Sequence, residues 1–154
     1  MTGDPAAGEL ARLLDERACE RLINEYCQLV DHGDAPGIAE LFTADGVWRS
    51  SEGLLMEGQD GIRAGFTRRQ GVTRRQSRHL CMNVIIDVEG DDATGRCYLV
   101  NYRHDSETGE AEHPAPADIP KYVGEYLDRF VRTPDGWRLA ERVFDMVFLR
   151  PSRR

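Results

Sequence analysis

The sequence predicts an α+β fold: a cone-shaped, curved, mixed or antiparallel sheet that wraps around a long N-terminal helix, with two short helices beside it. Two observations support this prediction. Apolar residues recur at helical spacing early in the chain, whereas the period changes to two from about residue 77 onward. Helices followed by strands are typical of an α+β layout. The open end of such a cone would form a pocket.

The first helix is predicted over residues 10–30. Apolar residues return there every three or four positions and so share one face. They are Leu10, Leu14, Ala18, Leu22, Tyr26 and Val30. The stretch HGDAPG then ends the helix.

Two short helices and a short strand are predicted next. Asp34 is a candidate N-cap for a second helix that runs through Ala39 to Phe42, with Pro36 in its first turn. The segment TADG predicts a turn into a short strand, VWRS. A third helix is expected over residues 59–70.

Four long strands complete the predicted fold, at residues 77–90, 93–105, 122–132 and 137–149. A polar, proline-bearing loop of about 16 residues separates the second from the third. Loops of this length are usually functional or disordered. We expect residues 107–120 to lie over or beside the mouth of the cone and to be more mobile than the strands.

Length and charge narrow the class of protein. A chain of 154 residues is expected to form one domain, with a core at about 9–149 and flexible tails at 1–8 and 150–154. A net charge of −7 argues against a nucleic-acid partner, which requires a basic face. No apolar run is long enough to span a membrane, and MTGDPAAGEL does not resemble a secretory signal. We therefore expect a cytoplasmic protein with neither a nucleic-acid nor a membrane partner.

The sequence gives no sign of a metal or cofactor. The four cysteines form no Cys-x-x-Cys pair and lie among apolar neighbours, which is typical of buried reduced thiols. His104, Asp105 and His113 lie in or near the long loop without the fixed spacing of a metal site. No phosphate-binding glycine loop is present.

The stretch NEYCQLVDHGD carries the main candidate for chemistry. Asp31 lies where the first helix ends, and Tyr26 is about 140° away around it, so both could border one cavity. His79 opens the first long strand, with Cys81 and Asn83 on its face until a bulge intervenes. A carboxylate that accepts the imidazole Nδ1–H fixes the tautomer and leaves Nε2 as a general base. On the residues alone, a structural histidine remains the alternative.

Several stretches together resemble the SnoaL-like branch of the nuclear-transport-factor-2-like superfamily: INEYCQLVDHGD, GQDGIRAGF, SRHLCMNVIIDV, DDATGRCYLV and FVRTPDGWRLAERV. The resemblance extends over residues 14–149. The order Tyr26, Asp31, His79, Arg142 is similar to that in scytalone dehydratase, lindane dehydrochlorinase and bile-acid 7α-dehydratase. It implies that Asp31 and His79 form a dyad for proton abstraction.

The resemblance also assigns further residues, with two departures. It implies that Arg142 lies in the active site, as in the latter two families, and Tyr26 matches a tyrosine of the bile-acid enzymes. The second active-site histidine of scytalone dehydratase has only His104 as a counterpart, and Tyr102 stands near an aspartate of the bile-acid enzymes. The general acid and the substrate therefore do not carry over.

The resulting expectation is a cofactor-independent, dehydratase-like lyase or isomerase that acts on a hydrophobic, cyclic, polyketide- or steroid-like small molecule. Tyr26 and Arg142 would hydrogen-bond a substrate carbonyl or leaving oxygen. The expected substrate-binding residues are Trp48, Asn83, Tyr98, Val100, Tyr102, His104 and Phe144. The alternatives are a polyketide cyclase, a non-catalytic binding or dimerisation module, and the small subunit of an aromatic-ring dioxygenase. A homo-oligomer, dimer or trimer, that associates through the outer sheet face is also expected.

A local basic cluster stands out in this acidic chain: Arg68, Arg69, Arg74, Arg75 and Arg78. It is either a solvated face paired with acidic residues or a site for a carboxylate or phosphate tail at the pocket mouth.

Overall fold

The computed structural model describes residues 5–151. The helices are α1 (Pro5–Asp31), a 3₁₀ helix (Ala35–Leu41) and α2 (Gly58–Gln70). The strands are β1 (Phe42–Ser50), β2 (Leu55–Glu57), β3 (Arg75–Glu89), β4 (Asp92–Asp105), β5 (Tyr122–Thr133) and β6 (Gly136–Leu149).

The strands form one six-stranded mixed sheet in the order β2-β1-β6-β5-β4-β3. All neighbours are antiparallel except β1 and β6, which are parallel. The sheet is open, and the helices pack on its inner face. This arrangement confirms the predicted α+β fold and is consistent with a cone.

Helix α1 is longer than predicted and buries only its second half. Its buried apolar residues begin at Cys19, whereas Leu10, Leu13 and Leu14 are 50–61% exposed. A helix of 27 residues spans roughly 40 Å, so its first turns extend past the core. Gly33 follows α1 with a φ of 87°, a left-handed conformation that suits glycine and ends the helix just after Asp31.

The segment after α1 differs from the prediction in two ways. The 3₁₀ helix begins directly at Ala35, and the Asp34 side chain makes no capping hydrogen bond. The predicted turn TADG lies inside β1, where a register shift between Phe42 and Val47 accommodates it. A four-residue break in the regular pairing of β1 with β6 therefore replaces the expected turn.

A bulge in β3 decides which residues of that strand point inward. The β3–β4 register shifts between Met82 and Ile85, and Asn83 has a φ of 55°. Before the bulge the odd-numbered residues Ser77 and His79 lie on the inner face. After the bulge the even-numbered residues of β3 are the less exposed ones. Asn83 itself is exposed.

Of the predicted flexible tails, residues 1–4 and 152–154 lie outside the described part, and residues 5–8 belong to α1. Within residues 5–151, no helix combines the length and apolar character needed to cross a membrane.

Candidate active site

A cavity of about 390 Å³ opens between the second half of α1, α2 and the inner face of the sheet. This volume falls within the range of small-molecule sites. Most of its wall is apolar or aromatic, with basic groups at one part and one histidine. The lining residues are Tyr26, Val30, Trp48, Leu54, Met56, Gly65, Phe66, Arg68, Arg69, Arg75, His79, Tyr122, Tyr126 and Phe144.

Asp31 and His79 are joined by two hydrogen bonds. The Nδ1 atom of His79 lies 2.7 Å from Oδ1 of Asp31, and the backbone N–H of His79 donates to Oδ2 at 2.7 Å. The Ser77 hydroxyl donates to Oδ1 at 3.0 Å. Both side chains are largely buried, with 4% exposure for Asp31 and 8% for His79. Three donors therefore fix the Asp31 carboxylate, and the carboxylate fixes the imidazole ring.

The protonation state of this pair follows from its surroundings. Burial alone would raise the pKa of Asp31, but the hydrogen bonds and charge of His79 and the Ser77 hydroxyl outweigh it, so the pKa lies below its ordinary value. An ionised carboxylate only accepts hydrogen bonds, so Nδ1 of His79 must carry the proton. In the neutral ring Nε2 is then unprotonated, and it has no protein partner within residues 5–151.

A pair of tyrosines forms the aromatic floor of the cavity. The Tyr26 hydroxyl accepts a hydrogen bond from Trp48 Nε1 at 3.1 Å, and the Tyr126 hydroxyl lies 3.5 Å from it. Burial raises the pKa of both phenols, so both keep their protons at neutral pH. Two hydroxyls that share one hydrogen bond leave one O–H proton without an acceptor among the described residues.

Arg142 lies behind this floor. Its side chain is fully buried and donates from Nε and one terminal nitrogen to the two oxygens of Asp128, both at 2.8 Å. Its guanidinium carbon lies 4.4 Å from the Tyr26 ring centroid and 4.1 Å from that of Tyr126. Arg142 therefore supports the two tyrosines from below.

The basic part of the cavity wall connects to the dyad. A terminal nitrogen of Arg69 donates to the Ser77 hydroxyl at 2.8 Å, and that hydroxyl donates to Asp31. Arg75 makes a bidentate pair with Asp105, at 2.7 and 2.9 Å, and Arg103 shares the same carboxylate. The hydrogen bond from Arg75 and the charges of both arginines hold the pKa of Asp105 well below its usual range.

The profile of the SnoaL-like domain family matches residues 11–143. The chain belongs to the SnoaL-like family. An NTF2-like protein with a cystatin-like fold from Novosphingobium aromaticivorans is 27% identical and covers 96% of this chain and 92% of its own, with a TM-score of 0.78. A Mycobacterium tuberculosis protein of unknown function is 26% identical and covers 97% of this chain and 79% of its own, with a TM-score of 0.74.

A second N. aromaticivorans protein, provisionally assigned as a scytalone dehydratase, is 21% identical over 93% of this chain and 91% of its own. Its TM-score is 0.76, and at that identity the likeness shows the fold alone. No curated protein sequence matches this SnoaL-like chain significantly.

The residues expected for a SnoaL-like active site divide into two groups. The structure brings Asp31 to His79, and it lines the cavity with His79, Tyr26, Trp48 and Phe144. Arg142 does not line it, because Asp128 and the two tyrosines hold its guanidinium in the layer beneath.

The expected substrate contacts on β4 need correction. Tyr98 and Tyr102 are 49% and 44% exposed, because the odd-numbered residues of β4 face the core, among them Cys97 and Leu99. Val100 and His104 lie on the same outer face of β4 as the two tyrosines, and none of the four residues lines the cavity. Asn83 is also outside the cavity, since the bulge turns it to solvent.

Several lining residues were not anticipated: Val30, Leu54, Met56, Gly65, Phe66, Tyr122 and Tyr126. The sequence carries a signal for the two tyrosines. Tyr122 and Tyr126 both lie at even-numbered positions of β5, which are the positions that face inward. Phe66 follows Ile62 by four positions on α2, which puts both on its buried face.

The long loop lies beside the basic part of the site rather than across the cavity. The backbone N–H groups of Ser106 and Ala111 donate to the carbonyls of Arg74 and Thr73, at 2.9 and 3.2 Å. No residue of the loop is among those that line the cavity. Its greater mobility stays a prediction.

Proposed function

We propose that this SnoaL-like protein is a cofactor-independent, dehydratase-like lyase or isomerase whose Asp31–His79 dyad acts as the general base. Its substrate would be a hydrophobic cyclic, polyketide- or steroid-like small molecule bound in the cavity. The observation that carries the proposal is the 2.7 Å contact between His79 Nδ1 and the Asp31 carboxylate, at the wall of an apolar cavity. A histidine that served packing alone would not need a buried, ionised carboxylate.

The dyad suits removal of a proton from carbon. Nε2 of His79 would take an acidic C–H proton of the substrate, which leaves an imidazolium. The Asp31 carboxylate favours that cation, and it cannot drift because His79 and Ser77 donate to both its oxygens. The largely apolar and aromatic wall of the cavity lowers the local dielectric constant and so strengthens this charge stabilisation.

The tyrosine pair suits the charge that develops on the substrate. When the proton leaves, the electron pair of the C–H bond moves toward an adjacent carbonyl oxygen. The O–H proton that Tyr26 and Tyr126 leave free could be donated to that oxygen, and Trp48 and Arg142 hold the ring that presents it. Fixed donors aimed at developing negative charge are usually the largest single contribution to catalysis.

The enolate that forms when the proton leaves would be common to both proposed reactions. In a lyase, its electron pair forms a carbon–carbon double bond as a hydroxyl on the next carbon leaves, and the proton on His79 completes a water molecule. In an isomerase, His79 returns the proton to a different carbon. A polyketide cyclase would use the same base to generate a carbon nucleophile that attacks a second carbonyl. The provisional dehydratase assignment of one structurally similar protein names chemistry of this class.

Proton exchange tests the base without knowledge of the natural substrate. The probe is 2-tetralone, an apolar cyclic ketone with acidic C–H protons, incubated in D₂O and followed by proton NMR. We expect the protein to accelerate deuterium incorporation and His79→Ala to abolish the acceleration. His32→Ala is the matched control, because His32 is exposed and adjacent to Asp31. Equal exchange by the wild type and His79→Ala would argue for a binding module instead.

A further inference from the structure

We propose that the substrate is a hydrophobic organic acid whose anionic oxygen group, a carboxylate or a phosphate, binds to Arg68, Arg69 and Arg75 at the mouth of the cavity. This inference rests on the proposed function, since it assumes that the cavity is the substrate site. The two can nevertheless fail separately, because anion binding does not require proton transfer.

The first support is a local excess of positive charge. Arg68, Arg69 and Arg75 line the cavity, and Arg103 approaches from β4 to share Asp105 with Arg75. The other nearby carboxylate, Asp31, faces His79. The cavity wall and its edge therefore carry four guanidinium groups, two of which share the Asp105 carboxylate, in a protein whose net charge is −7. A cavity wall of one sign attracts ligands of the opposite sign.

The second support is the state of Arg69. It is partly buried, its one side-chain hydrogen bond goes to the neutral Ser77 hydroxyl, and within residues 5–151 it forms no salt bridge. Burial lowers the pKa of Arg69, and the neighbouring charges of Arg75 and Arg103 lower it further. A desolvated guanidinium without a carboxylate is unfavourable. A ligand anion would supply the missing partner.

The third support distinguishes this surface from an ordinary solvated basic face. Of the five arginines in the sequence cluster, Arg74 and Arg78 are exposed and lie outside the cavity, as a solvated face requires. The other three line the cavity, including the exposed Arg68, whose side chain makes no hydrogen bond or ion pair with the described residues. The cluster is therefore split between a solvent side and a ligand side.

The anion site also lies next to the proposed base. Hydrogen bonds of 2.8, 3.0 and 2.7 Å link Arg69 to Ser77, Ser77 to Asp31 and Asp31 to His79. A bound acid would place its anionic group on Arg69 and its apolar body against the aromatic wall. The reacting carbon would then be only a few bonds from the anionic group, so a compact acid fits better than a long-tailed one.

Binding of three matched fluorescent probes tests the proposal: 2-naphthylacetate, 2-naphthylacetamide and 2-naphthyl phosphate. We expect at least one anion to bind the wild type about tenfold more tightly than the neutral amide at low salt. Arg68→Gln and Arg69→Gln should each reduce this preference to less than threefold. Arg96→Gln, an exposed position on the outer face of β4, is the control and should preserve it. The tighter of the two anions identifies the group.

His79→Ala separates this proposal from the proposed function. It should retain the preference for the anion while losing proton exchange. Arg68→Gln should lose the preference for the anion, whereas Arg96→Gln should keep both the preference and the exchange of 2-tetralone. Because the Arg68 side chain is exposed and makes no hydrogen bond or ion pair with the described residues, Arg68→Gln should fold normally. Equal affinities of the anions and the amide, no measurable binding of any probe at millimolar concentration, or an unchanged preference in both arginine variants would overturn the proposal.

Discussion

Replacing Asp128 with asparagine removes the charge that holds Arg142 behind the cavity. The two side chains are fully buried and share two hydrogen bonds of 2.8 Å, while a third guanidinium nitrogen of Arg142 has no partner among the described residues. Breaking a buried pair of this kind leaves an uncompensated charge and costs about 3–5 kcal/mol. In a chain of this size each kcal/mol lowers Tm by about 2–4 °C. The expected fall in Tm is therefore about 6–20 °C.

Urea unfolding followed by circular dichroism measures this change directly. The double variant Arg142→Met, Asp128→Leu is the informative partner, because it removes both charges and keeps apolar volume beneath the tyrosines. We expect it to recover most of the stability that Asp128→Asn loses, since buried pairs can often be replaced by apolar residues without loss. A free energy of unfolding for Asp128→Asn within 1 kcal/mol of the wild type would refute the reasoning.

Three further predictions concern pH, association and the long loop. The pKa of Asp31 is lower in the folded chain than in the unfolded chain. The Asp31 carboxylate therefore stabilises the fold at pH values above its unfolded pKa of about 3.9. This stabilisation is lost as the pH falls through the folded pKa. The stability advantage of the wild type over Asp31→Asn, measured by urea unfolding, should shrink below about pH 4, and a constant difference would contradict this. We expect a homodimer through the outer sheet face, where Tyr98 and Leu127 are 49% and 41% exposed, so Leu127→Glu should sediment as a monomer. Wild-type protein at monomer mass across micromolar concentrations would count against it. Amide hydrogens of residues 107–120 should exchange faster than those of β4 and β5, and equal protection would show a rigid loop.

The pairing of Asp31 with His79 could be predicted because both positions are fixed by local signals. The HGD stretch ends α1 immediately after Asp31, with Gly33 in the left-handed conformation. The change of period places His79 near the start of the first long strand. The resemblance to SnoaL-like proteins then singled out these two among several polar residues.

The inner face of β4 could not be predicted from alternation alone. Both of its faces carry apolar or aromatic side chains, with Cys97 and Leu99 on one and Tyr98 and Val100 on the other. Period-two alternation separates the two faces but does not say which one meets the core. The prediction places the aromatic face on the cavity wall, whereas the structure places it on the outside.

The environment of Arg142 depends on a bulge in the β5–β6 pairing that no sequence signal predicts. Counting outward from the Thr133–Gly136 turn pairs Asp128 with Glu141. The register shift between Arg129 and Phe130 moves the pairing by one residue, which brings Asp128 opposite Arg142. The one-residue shift therefore gives Arg142 its buried carboxylate partner.

The most direct test of the proposed catalytic dyad is the double-mutant cycle of Asp31→Asn and His79→Ala, with the rate of deuterium exchange into 2-tetralone as the measurement. Asp31→Asn keeps the shape of the side chain but loses the charge that stabilises the imidazolium, a change worth about 10⁴-fold in a well-studied triad. Asp34→Asn is the matched control, because Asp34 is exposed and makes no side-chain capping bond. If the two residues act as one base, each single variant loses the catalysed exchange and the double variant loses little more. Exchange at the wild-type rate in either single variant would contradict the dyad.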